Sequence, residues 1–274
     1  MASFDTAPYA AATTFWSIVC SSALTQLGSV VSAMELCPAL ADRFLIADRA
    51  KQLCEVLDEA RPQVDEIGGL RRVEPMISSV VSYVPTTTWV QALLRDHILF
   101  GLQRDFMTQV ADRIDPLMQP PESTWAQFFA HAEGRRARLD ATLRRILDAD
   151  TQGTDRHADS QDATSPVQMD QTDRHEGSSP DSGEDRDDED TLGSGIRAEA
   201  SVFARRYVGE VLSVAQRLAA VEQDLTVALT GRDQDDDDIN AVNEIMADVL
   251  HRNDDRLADL GLEPVSYTHM NMPT

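Results

Sequence analysis

Apolar residues recur along this chain at steps of three and four, the spacing that puts them on one face of an α-helix. Trp16, Cys20, Ala23, Leu27, Val30 and Met34 form the first such stripe and predict a helix from about Thr13 to Leu36, closed by Pro38. A second helix is predicted from Ala39 to Ala60. Leu40, Phe44, Ala47, Cys54 and Leu57 line one side of it, and Ile46, Ala50 and Leu53 widen that side. Pro62 and the pair Gly68–Gly69 stop the pattern. A short helix is expected after Pro75, using Met76, Ile77, Val80 and Val81.

The third long helix is announced by Pro85 and the threonines Thr86, Thr87 and Thr88, a breaker followed by N-cap residues. It carries Trp89, Leu93, Phe100, Met107, Val110 and Ile114 and closes at Pro116. A fourth begins after Pro120–Pro121 with Ser123 or Thr124 as cap, and carries Trp125, Phe128, Phe129, Leu139, Leu143 and Ile146. From Ala149 to Ser194 large apolar residues almost vanish, and Asp, Ser, Gly, Thr and Gln dominate. Such a stretch buries too little surface to offset its ordering entropy, so a disordered insert is expected. Periodicity returns from about Gly195 to Thr230 with Phe203, Tyr207, Val211, Val214, Leu218, Val221 and Leu225, followed by Gly231 as a helix-ending residue. Asp235 to Asp238 place negative charge at the start of a last helix, where the macrodipole favours it. Ile245, Met246, Val249, Leu250 and Leu257 give that helix its apolar face, and Gly261 ends it.

No stretch alternates with the two-residue period of a strand. The expected fold class is therefore all-α: a bundle of four long helices with additional C-terminal helices. The expected organisation is a flexible N-terminus over 1–12, bundle helices over 13–148, the acidic insert over 149–194, C-terminal helices of the same domain over 195–262, and a flexible tail over 263–274.

The formal net charge of −23 narrows the choice of partner. Nucleic-acid binding relies on Lys and Arg displacing counterions from phosphates, so this balance disfavours it, and an anionic membrane surface is disfavoured for the same reason. Thr151–Thr191 holds 13 acidic and 3 basic residues, a local charge of −10, so the rest of the chain remains acidic at −13. The paired arginines Arg71–Arg72, Arg135–Arg136, Arg144–Arg145 and Arg205–Arg206 are ordinary on helix faces. Cys20, Cys37 and Cys54 show no metal spacing and fit reduced, buried thiols. No charge lies between Asp5 and Glu35. No basic segment precedes that run, however, and Ser17, Ser21, Ser22, Thr25, Gln26 and Ser29 make it too polar to span a bilayer cheaply. A soluble, cytoplasmic protein is the expectation.

Three strings carry a family likeness. One is Leu24–Glu66, with Pro38-Ala39-Leu40-Ala41-Asp42-Arg43 at a helix junction; another is Trp89–Asp115, with Gly101-Leu102-Gln103-Arg104-Asp105-Phe106 at its centre. The most specific is Arg205-Arg206-Tyr207-Val208-Gly209-Glu210-Val211-Leu212-Ser213-Val214-Ala215-Gln216-Arg217, and Leu260-Gly261-Leu262-Glu263-Pro264 closes the pattern. In this order they resemble the bacterial ferritin-like family related to tRNA methylthio-isopentenyladenosine hydroxylases. The resemblance implies a ferritin-like four-helix core. In active relatives that core holds two irons and uses oxygen to hydroxylate a substrate. Such a centre takes a Glu from each of two helices and an ExxH pair from each of the others.

The chain departs from this pattern at each expected place. Ala23 stands where the first helix would offer Glu, Lys51-Gln52-Leu53-Cys54 at the second-helix ExxH, and Phe100 where the third would offer a carboxylate. Phe128-Phe129-Ala130-His131-Ala132-Glu133-Gly134 holds a His and a Glu out of order, and no ExxH occurs anywhere. Lys51 and Phe100 would exclude dications by charge and by volume. His97 and Asp105, with His131 and Glu133, could form a residual polar pocket or a single-metal site; a satisfied core histidine and exposed acids are the simpler account. Asp248 and His251, with Glu244 and Asp255, read as a solvated face opposite Ile245, Val249 and Leu257. Glu210 reads as a partner within the bundle, and Trp16, Trp89 and Trp125 as core packing. Walker, GxGxxG, nucleophile-elbow and HExxH motifs are absent.

These readings assign no catalytic, cofactor-binding or metal residue. The leading expectation is a non-catalytic bundle with a degenerate metal site that acts through protein contacts: a homodimer through helix faces or a partner protein. The alternative is a di-iron, oxygen-dependent tRNA-modifying hydroxylase. A third reading makes the acidic insert a mimic that docks a basic partner.

Overall fold

The computed structural model describes residues 7–64, 69–111, 137–149, 195–222 and 236–262. Every regular element among them is a helix: α1 (Ala7–Leu36), α2 (Leu40–Ala60) with a 3-10 turn at Arg61–Gln63, α3 (Gly69–Tyr83), α4 (Trp89–Ala111), α5 (137–149), α6 (Gly195–Val221) and α7 (Asp236–Ala258). The all-helical class expected from the periodicity is what the chain adopts. Of the flexible N-terminus expected over 1–12 and the insert expected over 149–194, residues 1–6 and 150–194 lie outside the described residues, as do the tail at 263–274 and Ile114, Trp125, Phe128, Phe129, His131, Glu133, Leu225 and Gly231.

Helix α1 packs against α2, α3 and α4, while α4 also meets α6 and α7. Pro38 stops α1 two residues earlier, at Leu36, and only three residues separate it from α2, so the two form a helical hairpin. Helix α4 is buried on nearly all sides. Its start follows the expected cap: the Gln91 amide donates to Thr88 Oγ1 at 3.3 Å, and Gln91 Oε1 accepts from the Thr87 amide at 2.9 Å. The core runs continuously through the helices, with Leu53, Leu94, Ile98, Leu143, Leu147, Tyr207, Ile245 and Leu257 wholly enclosed.

Among the described residues one stretch, Thr13–Leu36, is long and apolar enough to cross a membrane by length and composition, with mean hydropathy 1.3. Trp16, Val19, Cys20, Ala23, Val30 and Ala33 of this stretch are buried in the bundle core.

Helix α1 begins at Ala7, six residues before the expected start at Thr13, and Val221, at the end of the expected α6 stripe, is exposed. Helices α2 and α3 depart further from expectation. On α2 the face is different. Leu40 is 71% and Phe44 66% exposed, and Cys54 is exposed, whereas Asp42, Ile46, Arg49, Gln52, Leu53, Val56 and Ala60 are buried. The true stripe still steps by three and four, but polar members hide it from a hydrophobicity reading. Cys54 thus departs from the expected buried thiol; Cys20 and Cys37 conform. Helix α3 starts at Gly69, six residues before Pro75, which lies inside it. Gly69, Val73, Ile77 and Val80 form one buried face against α1, and a Cβ at Gly69 would collide with Ser17 Oγ. That packing offsets the lost hydrogen bond at Pro75.

Helix α7 ends as the sequence suggests. Gly261 has φ 68, the Gly261 amide donates to Ala258 O at 2.8 Å, and the Leu262 amide donates to Leu257 O at 3.0 Å. This is a Schellman closure, with buried Leu262 packed beside buried Leu257. Arg197 adds a cation there, donating from Nη1 to Leu260 O at 2.9 Å and Gly261 O at 3.0 Å. Gly261→Ala is expected to cost about 1–2 kcal/mol, because a side chain at positive φ is strained and its Cβ would meet Arg197 Nη1. Urea unfolding of the variant checks this; an unchanged midpoint would contradict it.

Candidate functional site

The α2 stripe directs Arg49 into the interior between α1 and α4, where three of its nitrogens find acceptors. Nε donates to Asp96 Oδ1 at 3.1 Å, Nη1 to Gln52 Oε1 at 2.7 Å and Nη2 to Gln26 Oε1 at 2.7 Å. Gln26 Nε2 continues the chain to Gln103 Oε1 at 2.7 Å. The Arg49 guanidinium also lies 4.6 Å from the centre of the Phe100 ring, a cation–π arrangement. Arg49 is 3% exposed and Phe100 4%.

A second guanidinium lies one residue from Asp96. Arg95 is buried and donates from Nη2 to the Ser29 carbonyl at 3.1 Å. Burial pulls its pKa below the usual arginine range, with Tyr207 and Asp96 acting against that shift. Burial likewise pushes the Tyr207 phenol far above its ordinary value, and the charge of Arg95 opposes it. Tyr207 therefore stays a neutral hydroxyl. Its oxygen finds no hydrogen-bond partner among the described residues, nor do Ser29 Oγ and Gln52 Nε2. A cavity of about 10 Å³ lies among Gln26, Ser29, Arg95 and Asp96, with Val30, Ala33, Ile46, Leu93, Leu99 and Leu139 on its other sides.

Two further polar links tie α4 to its neighbours. His97 Nδ1 lies 2.6 Å from Asp140 Oδ1 of α5. Asp105 is 2% exposed; its Oδ2 accepts from Arg256 Nη1 of α7 and its Oδ1 from Arg104 Nη2 at 3.1 Å. Gly101 makes the α7 contact sterically feasible, since a Cβ there would sit 2.6 Å from Arg256 Nε.

The residues singled out from sequence distribute as follows. Ala23 and Phe100 are buried where a ferritin-like alignment expects ligands, but Lys51, expected to place charge in the interior, is 74% exposed and pairs loosely with Glu55. Arg49 supplies the interior charge instead, because a shift of two residues turns a helix side chain to the opposite face. His97 is a core histidine with a carboxylate partner; Asp105 is an ion-paired core acid rather than an exposed one. His97 and Asp105 share no hydrogen bond, and each has its own partner. Glu210 pairs with Arg217 at 3.3 Å near the surface. Glu244, Asp248, His251 and Asp255 are exposed, on the opposite side of α7 from Ile245 and Val249. Trp16 and Trp89 are buried, Trp16 edge-on to Phe15 at 5.6 Å. Sequence reading missed Arg49, Arg95, Gln26 and Gln52. Their available signal was polar residues recurring at stripe positions of otherwise apolar helices.

No three His, Cys, Asp or Glu side chains converge among the described residues. The interior between α1, α2 and α4 presents two guanidinium groups and one carboxylate. Bridged irons need several carboxylates and imidazoles, so this donor set does not fit them. Neither protein-family models nor curated proteins yield a match to the chain.

Proposed function

We propose that this chain is a non-catalytic, cytoplasmic bundle of ferritin-like descent, in which an arginine-centred hydrogen-bond network stands in for a lost metal centre, and which acts through protein contacts. One observation supports the reading: Arg49 lies over Phe100, the position at which the ferritin-like resemblance would put a carboxylate. A guanidinium there repels a dication and fills its space. The exposed apolar pair Leu40 and Phe44 on α2 supports the contact role.

Elemental analysis and melting in chelator test the first half. The expected result is iron well below one atom per chain and an unchanged melting curve. Stoichiometric iron, with loss of a tRNA modification on gene deletion, would overturn it in favour of the hydroxylase. For the contact role, Phe44→Ser is expected to leave stability within about 0.5 kcal/mol, as at other surface positions, while shifting the sedimentation coefficient toward the single chain or abolishing partner binding. Identical hydrodynamics and binding in the variant would remove α2 from the contact surface.

A further inference from the structure

Residues 150–194 separate α5 from α6 along the chain, yet the two helix ends that flank them meet at one side chain. Arg197, in the first turn of α6, divides its guanidinium between two other helices. Nη1 donates to the Leu260 and Gly261 carbonyls that close α7, at 2.9 and 3.0 Å. Nη2 donates to the Leu147 carbonyl at 3.2 Å and to Asp148 Oδ1 at 3.3 Å, both in the last turn of α5. The final carbonyls of a helix have no partner within it, and they carry the negative end of its dipole. Two such ends side by side repel each other unless a cation lies between them. On local grounds the first turn of α6 is a poor place for that cation, because the dipole of α6 puts partial positive charge there. Arg197 is thus placed to serve α5 and α7 rather than its own helix.

We propose that Arg197 is a clasp that makes the ends of α5 and α7 and the start of α6 one conformational unit. The chain ends on either side of residues 150–194 are thereby fixed to the last turn of α7. The planar guanidinium suits this task, since it presents separate nitrogens to separate helices, whereas a lysine ammonium is a single point donor. The Asp148 side chain is 67% exposed, so its charge adds little, and the three backbone carbonyls carry most of the attachment. A partner that gripped residues 150–194 and drew their flanking ends apart would have to open this clasp. It would loosen the last turn of α7 as it did so, one end of a helix whose Arg256 also holds Asp105 of α4.

Hydrogen exchange on the full chain tests the clasp. Arg197→Ala should speed exchange roughly tenfold, the worth of one charge-assisted hydrogen bond, in the last turns of both α5 and α7. Arg197→Lys should restore protection at no more than one of the two. Arg138→Gln, which removes a surface pair between α5 and α2, should leave the end of α7 unchanged. Faster exchange at a single end in Arg197→Ala, or at neither, overturns the proposal, because the helices would then end independently. Full protection of both ends by lysine overturns it as well, because charge alone would suffice. That last comparison decides the matter even if Arg197→Ala fails to fold.

Discussion

Arg49→Ala is expected to reduce the folding free energy by about 3–5 kcal/mol, the range seen when one partner of a buried ion pair is removed. The loss has three parts. Asp96, 13% exposed on its side chain, keeps its charge without its cation. Gln26 and Gln52 lose the donors that satisfy their carbonyl oxygens at 2.7 Å each. The face of Phe100 loses the group covering it. Much of the cost is the penalty of stranded polar groups, not the net worth of the pair, because desolvating two charges nearly cancels their attraction. Arg49→Met combined with Asp96→Leu should therefore recover most of the loss, to within about 1–2 kcal/mol of the parent. Urea unfolding by linear extrapolation measures both. A single-variant loss below about 1 kcal/mol, the size seen for exposed pairs such as Arg138 with Asp48, would mean that Arg49 is effectively solvated.

The same residue shows where sequence reading works and where it stops. Helices α1, α4, α6 and α7 were legible because their buried faces are apolar at helical spacing: Trp16, Val30, Leu93, Phe203, Leu218 and Ile245 are all buried as the period requires. Their ends were legible where chemistry marks them, at Pro38, Thr88 and Gly261. Helix α2 was legible as a helix but not in its rotation. Its inward positions include Asp42, Arg49 and Gln52, which any hydrophobicity pattern assigns to solvent. Such residues go inside only because other helices bring partners to them, and those partners are remote: Gln26 lies 23 positions from Arg49 and Asp96 lies 47. His97 was readable as a core histidine, but its partner Asp140, 43 positions away, was not, and it is only half satisfied, since its buried Nε2 finds no partner among the described residues. Pairing across a bundle is a tertiary property that periodicity does not encode. The Pro75 boundary failed for a related reason, since packing of Gly69 against Ser17 outweighs a local breaker.

Asp105→Ala is expected to have an effect of the same size, about 3–5 kcal/mol, by a different connection. Asp105 joins α4 to α7 through Arg256 and to its own helix through Arg104. Its loss leaves the Arg256 guanidinium enclosed without that carboxylate, so the docking of α7 should loosen first. Hydrogen exchange should then rise in α7 before it rises in α1. Gly101 sharpens the test. Glycine to alanine inside a helix ordinarily gains about 0.5–1 kcal/mol. Here the new Cβ would come within 2.6–2.8 Å of Arg256 Nε, Cζ and Nη2. The tip of an arginine can usually swing aside, but this one is held by Asp105 in the interior. Gly101→Ala should therefore destabilise the parent chain, yet become neutral or stabilising once Arg256→Met has removed the obstruction. The double-mutant cycle should show a coupling above about 1 kcal/mol, well outside the additivity of independent sites. Additive effects would mean that Arg256 does not lie across Gly101, and that α7 docks on α4 in another register.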